Sequence, residues 1–362
     1  MLKEAATEFN VELFFMDPDP DAPCSQFKEH FTIGDFKNEQ DVLSFAKGKD
    51  IITIEIENVN TTALRKIKDM GLIVFPDPSL IETIKDKGAQ KEFYHSHNIP
   101  TSPFILVAKA DPLNALINDY PIVQKLRTGG YDGRGVQVLK NEQDLSRAFS
   151  EDSILEHFVP FEQEISVLVA RNSDGEVSSY PPVGMKFNEE ANLVEFLYSP
   201  ANLHLDLQKK AKDIAEQLAD ELELVGIMAV EMFHTKEDLL LVNEVAPRPH
   251  NSGHQSIEGN TTSQYAQHLR AILGLPLGDT SIVKPSVMVN LLGAKQNEGD
   301  VNYQGLEAVQ NDPNIYVHLY GKKKTKPFRK MGHVTILDDS LDAAIEKAEK
   351  VKESISCVSL SA

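Results

Sequence analysis

Two glutamates stand where an acid is costly. Glu231 interrupts the apolar run from Gly226 to Phe233, and Glu244 interrupts the run from Leu239 to Val245. A carboxylate inside a run that reads as buried strand needs a partner or a metal. With Asn243 beside them, two acids on neighbouring strands suit Mg²⁺ (Mn²⁺ is the alternative), which takes one or two carboxylates plus phosphates. In the competing arrangement one or both acids point outward from a half-exposed sheet. If Phe233 sat opposite Leu239, the carboxylates would fall on different faces, so bringing them together requires a shift or a bulge.

A second group of residues suits phosphate. Four glycines lie within Gly129-Gly130-Tyr131-Asp132-Gly133-Arg134-Gly135, between two strand-like segments. Such a hairpin lets backbone amides approach a ligand closely. It matches neither a Walker A loop nor the dinucleotide fingerprint, and an ordinary flexible hairpin is the plain alternative. Lys125 ends the preceding strand, where a compact cation would meet the α- and β-phosphates of a nucleotide.

The run Ala246-Pro247-Arg248-Pro249-His250-Asn251-Ser252-Gly253-His254 follows Glu244 directly and crowds hydrogen-bonding groups into a loop. His250 and His254 have the spacing of a zinc helix. The glutamate that HExxH needs is replaced by Asn251, and the prolines and Gly253 oppose a helix. Polar substrate binding is therefore the preferred reading. Finally, Gly321 to Lys330 holds five lysines and one arginine. Alone it reads as a solvated hairpin tip, but in a chain of net charge −19 it is also a reasonable phosphate-monoester site.

The elements that must carry these residues are legible from pattern. Strands are expected at residues 11–16, 50–56 and 72–75, with a helix over 60–70. This alternation points to a parallel sheet. The chain opens in a helix, from Leu2 to about Asn10, so the strand and glycine turn that normally precede it in a doubly wound domain are absent from this sequence. Further strands are expected at 121–125, 136–139, 154–159 and 164–170. An amphipathic helix spans 206–222, with Leu207, Ala211, Ile214, Leu218 and Leu222 on one side. A hairpin of 225–233 with 239–245 follows. Then come strands at 286–291, 316–320 and 333–337 and a helix at 341–352. The expected parts are residues 1–97, 98–280 and 281–362.

Composition narrows the function. The 362 residues are 41% hydrophobic and 25% charged, ordinary for a folded α/β protein. Fifty-five acids against 36 basic residues disfavour nucleic acid as a partner, because a duplex binder needs cations. No apolar run is long enough for a membrane span, and no signal peptide opens the sequence. Cys24 and Cys357 form no CxxC pair and read as free thiols, which suits a cytoplasmic protein.

Taken together, these segments resemble ATP-grasp ligases. More closely, they resemble the 5-carboxyaminoimidazole ribonucleotide synthetases, a family that uses ATP and bicarbonate in purine synthesis. The resemblance covers nearly the whole chain. It runs through Met16–Pro23, Glu55–Val59, Ile99–Phe104, Gly129–Gly135, Glu156–Glu162, Asn243–His254, His318–Lys322 and Arg329–His333. The run from Arg248 to His254 and the Lys322/Arg329 pair are its most specific parts.

The resemblance implies an ATP-grasp fold with an N-terminal Rossmann-like domain lacking its first strand, and a small C-terminal domain. It implies that ATP phosphorylates bicarbonate and that the resulting carboxyphosphate carboxylates aminoimidazole ribonucleotide. By resemblance Lys87, Lys125 and the flap from Gly130 to Val136 (including Tyr131, Asp132, Gly133, Arg134 and Gly135) hold ATP. Glu156, His157, Phe158 and Val159 meet the adenine, and Glu164 takes the ribose. Glu231 and Glu244 ligate Mg²⁺, with Asn243 nearby. Tyr131, Asp132 and Arg134 face the bicarbonate end, and Arg248, His250 and Asn251 line the reaction centre. Lys322 and Arg329 grip the ribonucleotide phosphate, with Glu57 as a further contact. Phe187 stands where the family often has a histidine. A homodimer is also implied. A formate-using transformylase of the same superfamily, or an ATP-binding protein without turnover, are the alternatives.

Overall fold

The computed structural model describes residues 1–130, 135–188 and 193–360. The first part holds two parallel strand pairs. β1 (Phe15–Asp17) lies beside β2 (Phe31–Ile33), and β3 (Ile51–Ile52) lies beside β4 (Ile73–Val74). The two pairs are separate two-stranded sheets, not the single parallel sheet that the alternation suggests. Helices α1 (Leu2–Glu8), α2 (Glu39–Ala46), α3 (Thr61–Asp69), α4 (Pro78–Lys85) and α5 (Lys87–Ser96) surround them. Asn38, Asn60, Asp77 and Asp86 cap the last four, each side chain accepting from a first-turn amide.

The second part has two lobes. The smaller is an antiparallel sheet in the order β5 (Phe104–Val107), β8 (Ser153–His157), β6 (Ile122–Leu126), β7 (Val136–Leu139), with a short α6 (Leu113–Leu116). The larger begins with β9 (Phe161–Arg171), β10 (Val177–Ser179), β11 (Val183–Asn188) and β12 (Leu193–Ser199). After α7 (Leu205–Glu221) come β13 (Gly226–Thr235) and β14 (Leu240–Ala246), and then α8 (Ser256–Gly259) and α9 (Gln264–Ile272). The apolar stripe of α7 is buried against β9, β13 and β14, as the 3.6-residue spacing requires.

The expected boundary near residue 281 is not a break in the sheet. β12 pairs with β15 (Ser286–Leu292), which pairs with β19 (Lys330–Leu337) and through it with β17 (Ile315–Leu319). A side sheet of β16 (Gly299–Gln304), β18 (Lys324–Thr325) and β20 (Ser356–Ser359) and the helix α10 (Leu341–Ser354) complete the third part. One large sheet thus runs under the second and third parts. Among the described residues no helix is long and apolar enough to cross a membrane.

Candidate active site

The two acids do meet. Phe233 lies opposite Leu241, and a bulge between Glu231 and Met232 sets Glu231 opposite Glu244. The bulge supplies the shift that simple hairpin pairing lacks. On the other side of β13, Glu231 faces Ser166 and Phe233 faces Glu164 of β9. Glu164 therefore shares a sheet face with Glu231. Crowding three carboxylates has electrostatic consequences. Burial, with the charges of Glu244 and Glu164, pushes the Glu231 carboxyl well up. Burial likewise raises Glu164 to about 7, with Glu244 adding to it. Glu244 goes the other way, because the Lys87 ammonium 2.8 Å away holds it ionised.

The first part delivers that lysine. Asp86 caps α5 by accepting from the amides of Gly88 and Ala89, and its carboxylate also pairs with Arg127 just beyond β6. A side chain at residue 88 would meet Arg127 Nε at 2.8 Å, so Gly88 leaves room for the Arg127–Asp86 pair. Lys87, one residue after the cap, then reaches across to Glu244. Both groups are walled by protein on nearly all sides. Yet 46% of the Glu244 side chain remains open to water. That combination marks the wall of a cleft.

The smaller lobe supplies the second lysine. Lys125 Nζ donates to Asn243 Oδ1 at 2.8 Å and pairs with Glu156 at 3.0 Å. Lys91 pairs with the other oxygen of Glu156 at 3.2 Å and donates to Thr101 and Ser102. Burial lowers Lys91 to about 8, against the pull of Glu156. Glu156 is thus closed between two lysines, with its carboxylate fully engaged. His157 and Phe158 are exposed where the chain crosses from the small lobe to β9. Gly129 and Gly135 adopt left-handed φ of 81° and 78° at the base of the glycine-rich hairpin. Tyr131, Asp132, Gly133 and Arg134 lie outside the described residues.

The loop after β14 forms the opposite wall. Arg248 Nε pairs with Glu57 at 2.8 Å, so Glu57 orients a guanidinium as well as facing the cleft. Glu55 is open to water but enclosed by protein. Burial raises its carboxyl, and the charge of Arg248 opposes that rise. His250 Nδ1 lies 2.9 Å from Ser252 Oγ and 3.6 Å from Glu231. Burial, reinforced by Arg248 and Lys330, keeps the ring neutral. His254 stacks on His333, and among the described residues no cluster of metal-ligating side chains joins it to His250. Asn251 follows on the same loop. Its amide is locked in a reciprocal pair with Asn290, at 2.8 and 2.9 Å.

From the third part, Lys322 Nζ donates to the Lys330 carbonyl and faces the Tyr320 ring. Arg329 donates to the Lys324 carbonyl. Lys323 pairs with Asp21, tying the basic stretch to the first part. Sequence reading passed over Lys91, and it gave Glu55 and Lys330 no role beyond membership in a motif. Lys330 acts electrostatically on Glu231, His250 and His254. A lysine in a basic run carries no sign of which member turns inward.

Three parts therefore converge on one cleft with two lysines, three carboxylates and an arginine–histidine wall. Family models match in the same order. Residues 1–85 match a ribonucleotide synthetase preATP-grasp domain, 92–265 an ATP-grasp domain, and 286–347 a phosphoribosylaminoimidazole carboxylase C-terminal domain. The N5-carboxyaminoimidazole ribonucleotide synthase of Bacillus subtilis is 35% identical over 357 residues, 96% of this chain and 90% of that protein. The chain belongs to the N5-carboxyaminoimidazole ribonucleotide synthase family. It is an ATP-grasp ligase. The solved N5-carboxyaminoimidazole ribonucleotide synthetase of Thermotoga maritima superposes with a TM-score of 0.91 at 38% identity, covering 99% of this chain and 96% of that one. The Aspergillus clavatus enzyme, solved with ADP and 5-aminoimidazole ribonucleotide, gives 0.88 at 31%, covering 98% and 95%. Some relatives are longer proteins: the chain spans 63% of a Vigna aconitifolia carboxylase that is 36% identical.

Proposed function

We infer that this chain carries out its family's reaction, the ATP-dependent carboxylation of 5-aminoimidazole ribonucleotide on its exocyclic amine, releasing ADP and phosphate. The observation that carries the reading is the pairing of Glu231 with Glu244 across a bulge, facing Lys87 and Lys125. In the first step a bicarbonate oxygen attacks the γ-phosphorus and ADP departs. In the second, the exocyclic nitrogen attacks the carbonyl carbon of carboxyphosphate, phosphate leaves, and the nitrogen loses a proton.

Each wall of the cleft has a part. Lys87 and Lys125 hold phosphates, and their charge offsets what builds on the transferring group. The main chain from Glu156 to Val159 meets adenine, and Glu164 meets the ribose hydroxyls. Arg248 holds bicarbonate or carboxyphosphate. His250 lines the reaction centre beside it, as a neutral ring. Lys322 and Arg329 bind the ribonucleotide phosphate, which lies where the three parts meet. The glycine-rich hairpin, including Tyr131, Asp132 and Arg134, covers the reactants and excludes water that would destroy the acyl phosphate.

Glu231 and Glu244 fit Mg²⁺. They are paired acids in an enclosed site, one of them pushed toward its neutral form by burial and by its neighbouring carboxylates. Held by these two carboxylates, the ion would supply positive charge to offset that of the phosphates. We also propose a cytoplasmic homodimer; its two free cysteines suit a reducing compartment. The test of the reaction is ADP release with bicarbonate as the acyl donor, raised by aminoimidazole ribonucleotide. Replacement of bicarbonate by formate would point to the transformylase reaction instead.

A further inference from the structure

The loop that carries Arg248 and His250 has few backbone partners of its own, yet its end is among the most tightly held segments of the site. Gln264, the fully buried first residue of α9, spends its whole amide on it. Its Oε1 accepts from the His250 N–H at 2.8 Å. Its Nε2 donates to the His250 carbonyl at 2.9 Å and to His254 Nδ1 at 2.8 Å. The orientation of this amide is dictated by chemistry, because a backbone N–H can only donate and a carbonyl only accept. It follows that His254 Nδ1 carries no proton, and burial lowers that ring to about 3, so it stays neutral. A side chain at residue 253 would come within 2.5 Å of Gln264 Oε1, and Gly253 leaves that space open.

The third part grips the same segment from the other side. Asn290 of β15 exchanges two hydrogen bonds with Asn251 and is itself fixed by donating to the Val194 carbonyl at 2.8 Å. The His333 ring lies 4.7 Å from that of His254, and His318 stacks on the far face of His333 at 4.6 Å. His318 Nε2 meets Glu258 Oε1 at 2.7 Å, just past the loop. Tyr320 Oη fixes His333 through its Nδ1 at 3.1 Å. Three of these ties join the third part to residues 251–258: Asn290 to Asn251, His333 to His254 and His318 to Glu258.

We propose that Gln264 on one side and Asn290, His318 and His333 on the other are positioning residues that set the Arg248–His250 segment for the carboxylation step. This rests on the functional reading above. The third part then has two tasks: it contributes cations toward the ribonucleotide and it moulds the loop that meets the reacting amine. A displacement of about 1 Å in a reacting group can cost roughly 10²-fold in rate. Loss of the Gln264 amide, which holds both backbone groups of His250, is expected to have an effect of that order.

The test uses the full chain and three variants. Gln264→Met keeps the volume and removes all three hydrogen bonds, and Gln264→Glu keeps only the acceptor. His318→Ala acts at a half-buried position and removes the partner of Glu258 and the stack on His333. With aminoimidazole ribonucleotide as substrate, kcat falls about 10²-fold in Gln264→Met and roughly tenfold in His318→Ala, while KM for ATP stays within about twofold. In ¹⁵N NMR the parent His254 is the Nε2–H tautomer, and in Gln264→Glu it switches to Nδ1–H to serve the carboxylate. The proposal is overturned if folded His318→Ala and Gln264→Met keep kcat within twofold, or if KM rises with kcat unchanged. A parent His254 protonated on Nδ1 also overturns it. A parent that does not carboxylate the ribonucleotide at all sinks the functional reading instead, and the tautomer measurement still decides the clamp.

Discussion

Glu156 lies between two lysines, and that arrangement separates the structural role of a buried charge from its catalytic role. Its carboxylate meets Lys125 at 3.0 Å, Lys91 at 3.2 Å and Ser102 Oγ at 3.1 Å, and the side chain is 3% exposed. Glu156→Gln removes the only negative charge between two ammonium groups. Removing one partner of a buried ion pair costs about 3–5 kcal/mol. The two cations left without it repel by roughly a few kcal/mol at an effective dielectric of 20. Lys91, already lowered to about 8, relieves part of this by losing its proton. Its folded value then lies further below its unfolded one, so the unfolded chain binds more protons. The Gln variant therefore recovers stability as pH rises through the range below 8. Lys125→Met differs in kind. Lys91 still balances Glu156, so the stability cost is about 1.5–3 kcal/mol, that of a hydrogen bond to a charged group. The cation facing the phosphates is lost, which costs about 10²–10³-fold in kcat. Urea unfolding and initial rates of ADP release decide the matter. The reasoning fails if Lys125→Met is destabilised more than Glu156→Gln, or if it retains kcat within tenfold of the parent.

Other outcomes follow from the same geometry. Because Glu231 is raised by burial beside Glu244, Mg²⁺ must displace a proton, so its apparent affinity increases as pH rises from 6 to 8. Calorimetry in two buffers of different ionisation enthalpy should register the released proton, and a pH-independent affinity contradicts this. Leu218 is fully buried on α7 against the large sheet, and Leu218→Ala should cost about 2–5 kcal/mol by denaturant unfolding, with activity of the folded fraction preserved. Lys322→Ala should raise KM for the ribonucleotide at least tenfold while leaving KM for ATP within twofold, since one charge-assisted hydrogen bond is worth about 1.5–3 kcal/mol.

The sequence was most readable where periodicity and cost coincide. The α7 stripe and the hairpin acids both lie in long patterned segments, and their elements fall within a residue or two of expectation. That Glu231 and Glu244 could share a metal was readable, but the bulge that pairs them was not. A bulge changes register by one residue and leaves no mark in composition. The strands of residues 177–199 were missed because they are short or broken by polar residues, yet they join the second and third parts through β12. Long-range partners were also out of reach. Nothing near Asn251 announces that its amide belongs to Asn290, 39 residues on, and nothing at Glu156 announces that Lys91 approaches from α5. Site residues expected from resemblance were legible as types. Their side-chain engagements came from tertiary contacts.

The reaction is tested most directly by where the carbon goes. The enzyme, ATP, Mg²⁺, ¹³C-bicarbonate and aminoimidazole ribonucleotide are mixed, and the product is observed by ¹³C NMR before it decays. The account predicts one ADP per labelled carbon, a carbamate resonance on the exocyclic nitrogen, and no label without ATP. A labelled carboxylate on a ring carbon, or ADP formed at the same rate with and without the ribonucleotide, would contradict it.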